Sequence, residues 1–270
     1  MFEIHDARKV FNPATPNEVR ALQGVDLVVD EGDFVVVIGT NGSGKSTLQN
    51  AIAGAFMLDS GRIRIDGTEV TRWPEHRRAS FIGRVFQNPF SGTAPHMSIA
   101  ENLALAAWRG RRRSLGWTLK RRSVAEMKER VRLLNMGLED RLDNPIGSLS
   151  GGQRQALTLL MATWREPRLL LLDEHTAALD PKSADEVVRL SNEIISRDKL
   201  TTLMVTHSMQ QAANLGNRLI MMHHGRVIHD FRDAEKQRLR STDLLEIFEK
   251  VRARDQLDAS AAELLRARYV

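Results

Sequence analysis

The sequence predicts an α/β fold, and three features carry that prediction. An apolar run, Phe34-Val-Val-Val-Ile38, empties into a glycine-rich loop followed by a helix-type pattern. A second apolar run, Leu169-Leu-Leu-Leu172, ends in two acids. Short β-type runs lie on both sides of a middle stretch with helical spacing.

The elements follow in order. Arg20-Ala-Leu-Gln-Gly-Val-Asp-Leu-Val-Val29 alternates loosely and stops at Asp30-Glu-Gly-Asp33, a strand closed by a turn. Phe34–Ile38 is a short apolar run, a strand leading into the glycine-rich loop. From Ser46 the pattern is helical, with Leu48, Ile52 and Ala53 as the inward stripe and Gly54 near the end. Gly61-Arg-Ile-Arg-Ile-Asp-Gly67 reads as a strand closed by an Asp-Gly turn. The stretch of about 90–165 reads as mostly helical. Ser98 and Glu101 open it with a capping-box pattern, and Val124, Met127, Val131 and Leu134 recur at helical spacing up to a stop at Gly137. Leu169–Leu172 is a buried-type strand, Lys182 to Ser196 a helix with Pro181 in its first turn, and Thr201–Val205 another strand. Leu219–Met222 and Arg226–His229 flank the turn His224-Gly225. Beyond Asp233 the chain is charged, with two helix-like apolar patterns: Leu244, Leu245 and Phe248, then Leu257, Ala261, Leu264 and Leu265. Residues 1–232 are expected to form one domain with a helical subdomain at about 90–165, and 233–270 a C-terminal helical extension.

Composition bounds the function. At 270 residues, 42% hydrophobic and 27% charged, the chain suits a soluble globular protein able to bury a sizeable core. The absence of cysteine excludes disulfides and thiolate–metal sites. Nothing resembles a secretion signal, and no segment offers about 18 consecutive apolar residues, so a cytoplasmic chain that does not cross a membrane alone is expected. The net charge of +5 is unevenly spread: Arg109 to Arg122 holds seven basic residues and no acid. That segment reads as a solvated loop or as a contact with anionic lipid headgroups or an acidic partner surface, with nucleic acid a third reading that no other motif supports.

The chemistry starts at Gly39-Thr-Asn-Gly-Ser-Gly-Lys-Ser-Thr47, which fits the phosphate-loop pattern G-x-x-x-x-G-K-[ST]. Its glycines turn several N–H groups toward one centre, and the helix that follows adds its dipole. Lys45 supplies a charge for the β- and γ-phosphates, and the Ser46 hydroxyl helps hold Mg²⁺. Two acids ending a buried strand need a partner: Asp173 can reach the metal, and Glu174 can take a proton from an attacking water.

Leu149-Ser-Gly-Gly-Gln153 adds a third motif. With it, the chain closely resembles the ATP-binding-cassette ATPases, the nucleotide-binding subunits of ABC transporters, over about Ile4 to Val227. The resemblance implies a P-loop NTPase (RecA-like) core with an ABC-type antiparallel β-subdomain and a helical signature subdomain. It implies that ATP is held by Phe11, Gly39, Thr40, Asn41, Gly42, Ser43, Gly44, Lys45, Ser46 and Thr47. On that likeness Phe11 stacks on adenine; its other reading is an edge-strand core residue. Ser150, Gly151, Gly152 and Gln153 of a second copy, or of a close relative, would bind the γ-phosphate, so that two subunits pack head to tail around two ATP. The resemblance makes Glu174 the catalytic carboxylate, His207 the switch histidine on the γ-phosphate, and Gln87 a contact to Mg²⁺ or the lytic water. Lys45 joins them in the catalytic set, Ser46, Gln87 and Asp173 form the metal set, and Asp180 lies in a loop linking the two sites. Two departures stand out: His175 where relatives often carry proline, and Ala177-Ala178 for Ser-Ala.

The resemblance further implies a peripheral subunit on the cytoplasmic face of the plasma membrane. It would energise a bacterial importer through separate permease subunits similar to branched-chain amino-acid permeases. A solute-binding protein would act indirectly, and the solute would be amino-acid-like. No nucleic-acid partner is expected. The alternatives are an exporter or lipid-handling system, or a soluble ATPase acting on nucleic acid or ribosomes.

Overall fold

The structure, a computed structural model, describes residues 1–110 and 121–253. Ten strands are found among them: β1 Phe2–Phe11, β2 Val19–Val29, β3 Phe34–Gly39, β4 Ser60–Ile65, β5 Thr68–Glu69, β6 Ile82–Val85, β7 Leu169–Asp173, β8 Thr202–Val205, β9 Arg218–His223 and β10 Arg226–Arg232. The helices are α1 Lys45–Ala53, α2 Glu75–Arg78, α3 Ile99–Trp108, α4 Arg121–Arg132, α5 Gly151–Thr163, α6 Pro181–Asp198, α7 Met209–Asn214, α8 Asp233–Arg238 and α9 at 241–253, with a 3₁₀ turn at Ile146–Ser148.

Two sheets organise these elements. One is antiparallel, in the order β2-β1-β4-β5. The other runs β10-β9-β3-β8-β7-β6, parallel except for the β9–β10 hairpin. Side chains of β3 alternate between two cores: Val35 and Val37 join one, Val36 and Ile38 the other. Leu169 and Leu171 of β7 split from Leu170 and Leu172 in the same way. A strand covered on both sides has no place for a polar residue, which is why both segments read as unbroken apolar runs. Between the sheets lie Phe2, Ile4, Leu48 and Ile52; the opposite face of the parallel sheet carries Leu103, Leu157, Leu190 and Leu244.

Three local expectations change. The helix through Val124, Met127 and Val131 ends at Arg132, not Gly137, because Asn135 turns left-handed at φ 54° and breaks the ladder first. Leu134 is nonetheless buried, from the turn beyond the helix. The 90–165 stretch is less continuously helical than its pattern: loops fill 89–98 and 133–145, where Pro89, Pro95 and Pro145 deny the ladder an N–H. In α9 Leu244 is buried but Leu245 is 47% exposed, so only Leu244 and Phe248 of that pattern face the core. Lys236 ties α8 down by donating to the Ala213 carbonyl at 2.7 Å. The second apolar pattern, at Leu257 to Leu265, and most of the basic segment, 111–120, lie outside the described residues. Arg109 at its start is no solvated side chain: it donates to the Ala162 carbonyl at 2.7 Å, and burial lowers its pKa.

Registers align the carboxyl ends of the central strands. Val37 pairs with Val205, Asp173 with Val205, and Val85 with Leu172. The residues that follow β3, β6, β7 and β8 therefore open onto one edge, the usual crevice for ligands in parallel sheets.

Candidate nucleotide site

The glycine-rich loop leaves β3 and enters α1 through Gly44. Gly44 has φ 98°, and a Cβ there would lie 2.4 Å from the Ala21 carbonyl oxygen, so a side chain is excluded twice over. Gly225 N donates to the Ser43 carbonyl, and Ser43 N to that of Thr40. The loop is thereby shaped from outside, between β2 and the β9–β10 turn. α1 begins with no side-chain cap and no acid in its first turn. In contrast, α3, α5, α6 and α7 each begin with a Ser or Asp that accepts from an N–H of the first turn. The bare end of α1 leaves N–H groups and dipole for an anion. Lys45 is buried and donates to the Gly39 and Thr40 carbonyls at 2.9 and 3.0 Å. Burial lowers its pKa, and Glu174 and Asp173 oppose that. Asn41, Gly42 and Ser46 are exposed, Thr47 is half-buried and Ser43 buried.

Across the crevice stand the two acids. The Asp173 carboxylate lies 3.6 Å from Arg84 Nη2; burial raises its pKa against the pull of Arg84 and Lys45. Glu174 adopts φ 44°, held by its N–H on the Val205 carbonyl at 3.0 Å. Its Oε1 meets His207 Nε2 at 2.6 Å. The Glu174 side chain is 13% exposed and His207 49%, so the pair sits at the mouth with the acid inward. Such a pair can accept a proton from water and hold the base in one orientation. Thr206 donates to Gln211, and Gln211 in turn to Thr176, lacing the two loops together.

His175 is buried, with its ring Nε2 3.0 Å from Ser191 Oγ. The Ser191 hydroxyl spends its proton on the Val187 carbonyl, so His175 donates. Burial pushes its pKa down to about 4, and the ring is neutral. This histidine fastens the loop after Glu174 to α6, a contact that proline could not make. Asp180 caps α6, accepting from Ser183 N at 3.1 Å, and the Ser183 hydrogen bonds lower its pKa.

Other expected residues are placed less directly. Gln87 is exposed two residues past β6, and Gln155 fixes the carbonyl just before it, that of Phe86, at 3.0 Å. Phe11 ends β1 and meets Phe56 edge-on, 5.3 Å between centres, with Lys9 Nζ 5.5 Å from the Phe11 centre. Ser150 and Gln153 form a reciprocal capping box at the start of α5, each bond 3.3 Å. Among the described residues no hydrogen bond joins 150–153 to the loop 39–47. Gly152 abuts Ser183 of α6, where an added Cβ would come within 2.9 Å.

Ser46, Asp173 and Gln87 offer a hydroxyl, a carboxylate and an amide carbonyl, an all-oxygen set that fits Mg²⁺. Among the described residues no three His, Cys, Asp or Glu side chains gather in a group able to hold a metal ion. Sequence reasoning missed Arg84, Asn50 and Ser191; the signal available for Arg84 was one cation inside the apolar strand Ile82-Gly-Arg-Val85.

The chain is similar to known proteins over most of its length. The ABC transporter family profile matches residues 22–177. The tyrosine transport ATP-binding protein of Clostridioides difficile is 42% identical over 251 residues, 92% of this chain and 99% of that protein. The thiamine import ATP-binding protein ThiQ of Escherichia coli K12 is 36% identical over 203 residues, 74% of this chain and 82% of that one. Among solved structures, the dimeric ATP-binding cassette MJ0796 bound to ADP and Pi superposes with a TM-score of 0.73 at 26% identity, covering 86% of this chain and 98% of that one. The fold is thus the P-loop ATPase core of a cassette with its added antiparallel sheet and helices. The chain belongs to the ABC transporter family, as an ATP-binding subunit whose ATPase activity is coupled to transport.

Proposed function

We propose that two copies of this chain close head to tail around two MgATP and drive import of an amino-acid-like solute through separate permease subunits. One observation carries the pairing. Ser150–Gln153 is a preformed helix N-terminus that, among the described residues, makes no hydrogen bond to the loop 39–47, and on this reading each loop awaits the second half of a phosphate cage. In the closed pair, Phe11 carries the base and Gly39–Thr47 hold the phosphates. Lys45 swings from its loop carbonyls to the β- and γ-phosphate oxygens, and Ser150 to Gln153 of the second copy cover the γ-phosphate. Ser46, Asp173 and Gln87 would hold Mg²⁺, which when bound offsets charge on the β- and γ-oxygens. Glu174 takes a proton from the attacking water as its oxygen bonds to the γ-phosphorus. The bond to the bridging oxygen breaks, and ADP leaves with that electron pair. His207 orients Glu174 and the γ-phosphate. Asp180 lies between the two sites.

Import is supported by the name of the thiamine import relative, and the tyrosine transport relative favours an aromatic amino acid as solute. A permease contact is supported by a cavity of about 460 Å³ among Arg84, Thr93, Leu105, Arg109, Thr158 and Met161, with Phe90 and Leu105 exposed. Among the described residues no helix is long and apolar enough to cross a membrane, so attachment through a permease on the cytoplasmic face suits the chain. A lipid-handling reading rests on 35% identity to the lipoprotein-releasing protein LolD 1 of Caulobacter vibrioides over 239 residues. Proteoliposomes holding the chain with its co-purifying membrane subunits and solute-binding protein decide. ATP-dependent uptake of labelled tyrosine or a related amino acid supports import; ATP-dependent release of lipid or lipoprotein without uptake overturns it.

A further inference from the structure

We propose that Arg84 is a built-in countercharge that weakens the hold of Asp173 on its divalent cation, a positioning residue of the metal site; this rests on reading Asp173 as a metal ligand. Arg84 stands inside β6, among Ile82, Gly83 and Val85. A cation in a strand at the edge of a buried sheet is costly unless something fixes it there. Two contacts do so. Its Nη2 donates to Asn50 Oδ1 at 2.6 Å, and its guanidinium carbon lies 4.5 Å from the centre of the Phe86 ring.

The Asp173 carboxylate is not what holds it. At 3.6 Å from Oδ2, Nη2 is longer than an ordinary hydrogen bond, so charge is the larger part of the attraction and any hydrogen bond is weak. Arg84 Nε is buried without an acceptor, which shows that the guanidinium is not aimed to spend its donors on the acid. Asn50 lies on α1, the helix that starts with Lys45 and Ser46. The position of the cation is therefore set from the phosphate loop, whatever Asp173 does. Among the described residues Asp173 makes no other ion pair, though Lys45 acts on it through space.

A divalent ion on Asp173 meets a fixed positive charge across one carboxylate. The metal is held less firmly than by a free aspartate, and it leaves more readily after hydrolysis. The Asn50 bond holds the guanidinium at this distance and keeps it from closing on the carboxylate.

The test uses the full-length protein and adenylyl imidodiphosphate, whose affinity is measured with Mg²⁺ and with EDTA. The ratio of the two is the gain that metal confers. Arg84→Gln is expected to raise that gain about three- to tenfold. Arg84→Lys keeps the charge and stays within twofold of the parent; a rise equal to that of glutamine overturns the electrostatic account. Asn50→Ala lets the guanidinium close on Asp173 and lowers the gain, and the double variant matches Arg84→Gln. An unchanged or reduced gain in Arg84→Gln overturns the proposal. Should that variant not fold, Asn50→Ala decides: a lowered gain supports the proposal, and an unchanged or raised gain overturns it. Asp173→Asn separates the two layers. If it keeps the parental gain, Asp173 is not the ligand. If it loses the gain while Arg84→Gln is silent, only the role of Arg84 falls.

Discussion

Two helix N-termini in this chain are proposed to meet the same phosphate, and they are built in opposite ways. The start of α1 is bare: no side chain caps it, and left-handed Gly44 brings the loop over it. The start of α5 is finished within one subunit by the reciprocal bonds of Ser150 and Gln153. A bare end is destabilising until a ligand supplies the missing acceptors, whereas a capped end is stable alone and offers an anion only its remaining N–H groups. One chain can therefore bind nucleotide through α1 and stay folded at α5 while waiting for a second copy. The strut between the two regions is α6. His175 ties the Glu174 loop to Ser191 on it, and Gly152 of α5 presses on Ser183 of the same helix.

The comparison breaks first at the chemistry. Glu174→Gln should cut ATP turnover by about 10²–10⁴-fold while nucleotide binding persists, and gel filtration with ATP should show a dimer. A monomer under those conditions removes the reason to join the two ends. Next come the glycines. Gly44→Ala places a methyl 2.4 Å from the Ala21 carbonyl oxygen at φ 98°, and it should lower the melting temperature and abolish ATP binding. Gly151→Ala meets only the movable Leu179 side chain, at 3.1 Å. It should leave melting and ATP affinity as they were and cut steady-state turnover at least about tenfold, because the intruding methyl matters only to the partner's phosphate. Equal loss of ATP affinity in both variants would erase the distinction between the ends.

The strut gives a smaller, pH-dependent effect. His175 has a folded pKa of about 4, below its ordinary 6.5, so the unfolded chain binds a proton that the folded chain refuses. Stability from this residue is complete above pH 6.5 and is lost as pH falls toward 4, by about 3 kcal/mol in all. Urea melts across that window should show the fall, and His175→Gln should flatten it; an unchanged slope means that the ring is not the titrating group. Smallest is the cap itself. Ser150→Ala should cost about 1 kcal/mol of stability by urea melts, since the Gln153 N–H loses its acceptor.

The loop, the acids at the end of Leu169–Leu172 and the alternating cores were legible because each is written in consecutive residues. What could not be read joins distant segments or depends on which way one side chain turns. Glu174 and His207 were both identified, but their 2.6 Å contact depends on the register between β7 and β8. Arg84 with Asn50 crosses from strand to helix over 34 positions. His175 reads as an ordinary polar residue until α6 is laid over it. Ser150 and Gln153 show the capping-box spacing, yet the same letters spell the signature motif, so one string of residues both starts a helix and forms the motif. At the C-terminal end, adjacent leucines made the periodicity ambiguous, and only packing chose Leu244 over Leu245.

The left-handed turn at Gly44 has a consequence for kinetics. Because β2 and the β9–β10 turn hold the loop in shape, the conformational entropy of ordering it is spent when the chain folds, not when nucleotide arrives. Any triphosphate thus finds a finished seat and docks without a slow rearrangement. Choice among nucleotides then cannot come from the loop; it falls to whatever grips the base, at the far end of the ligand.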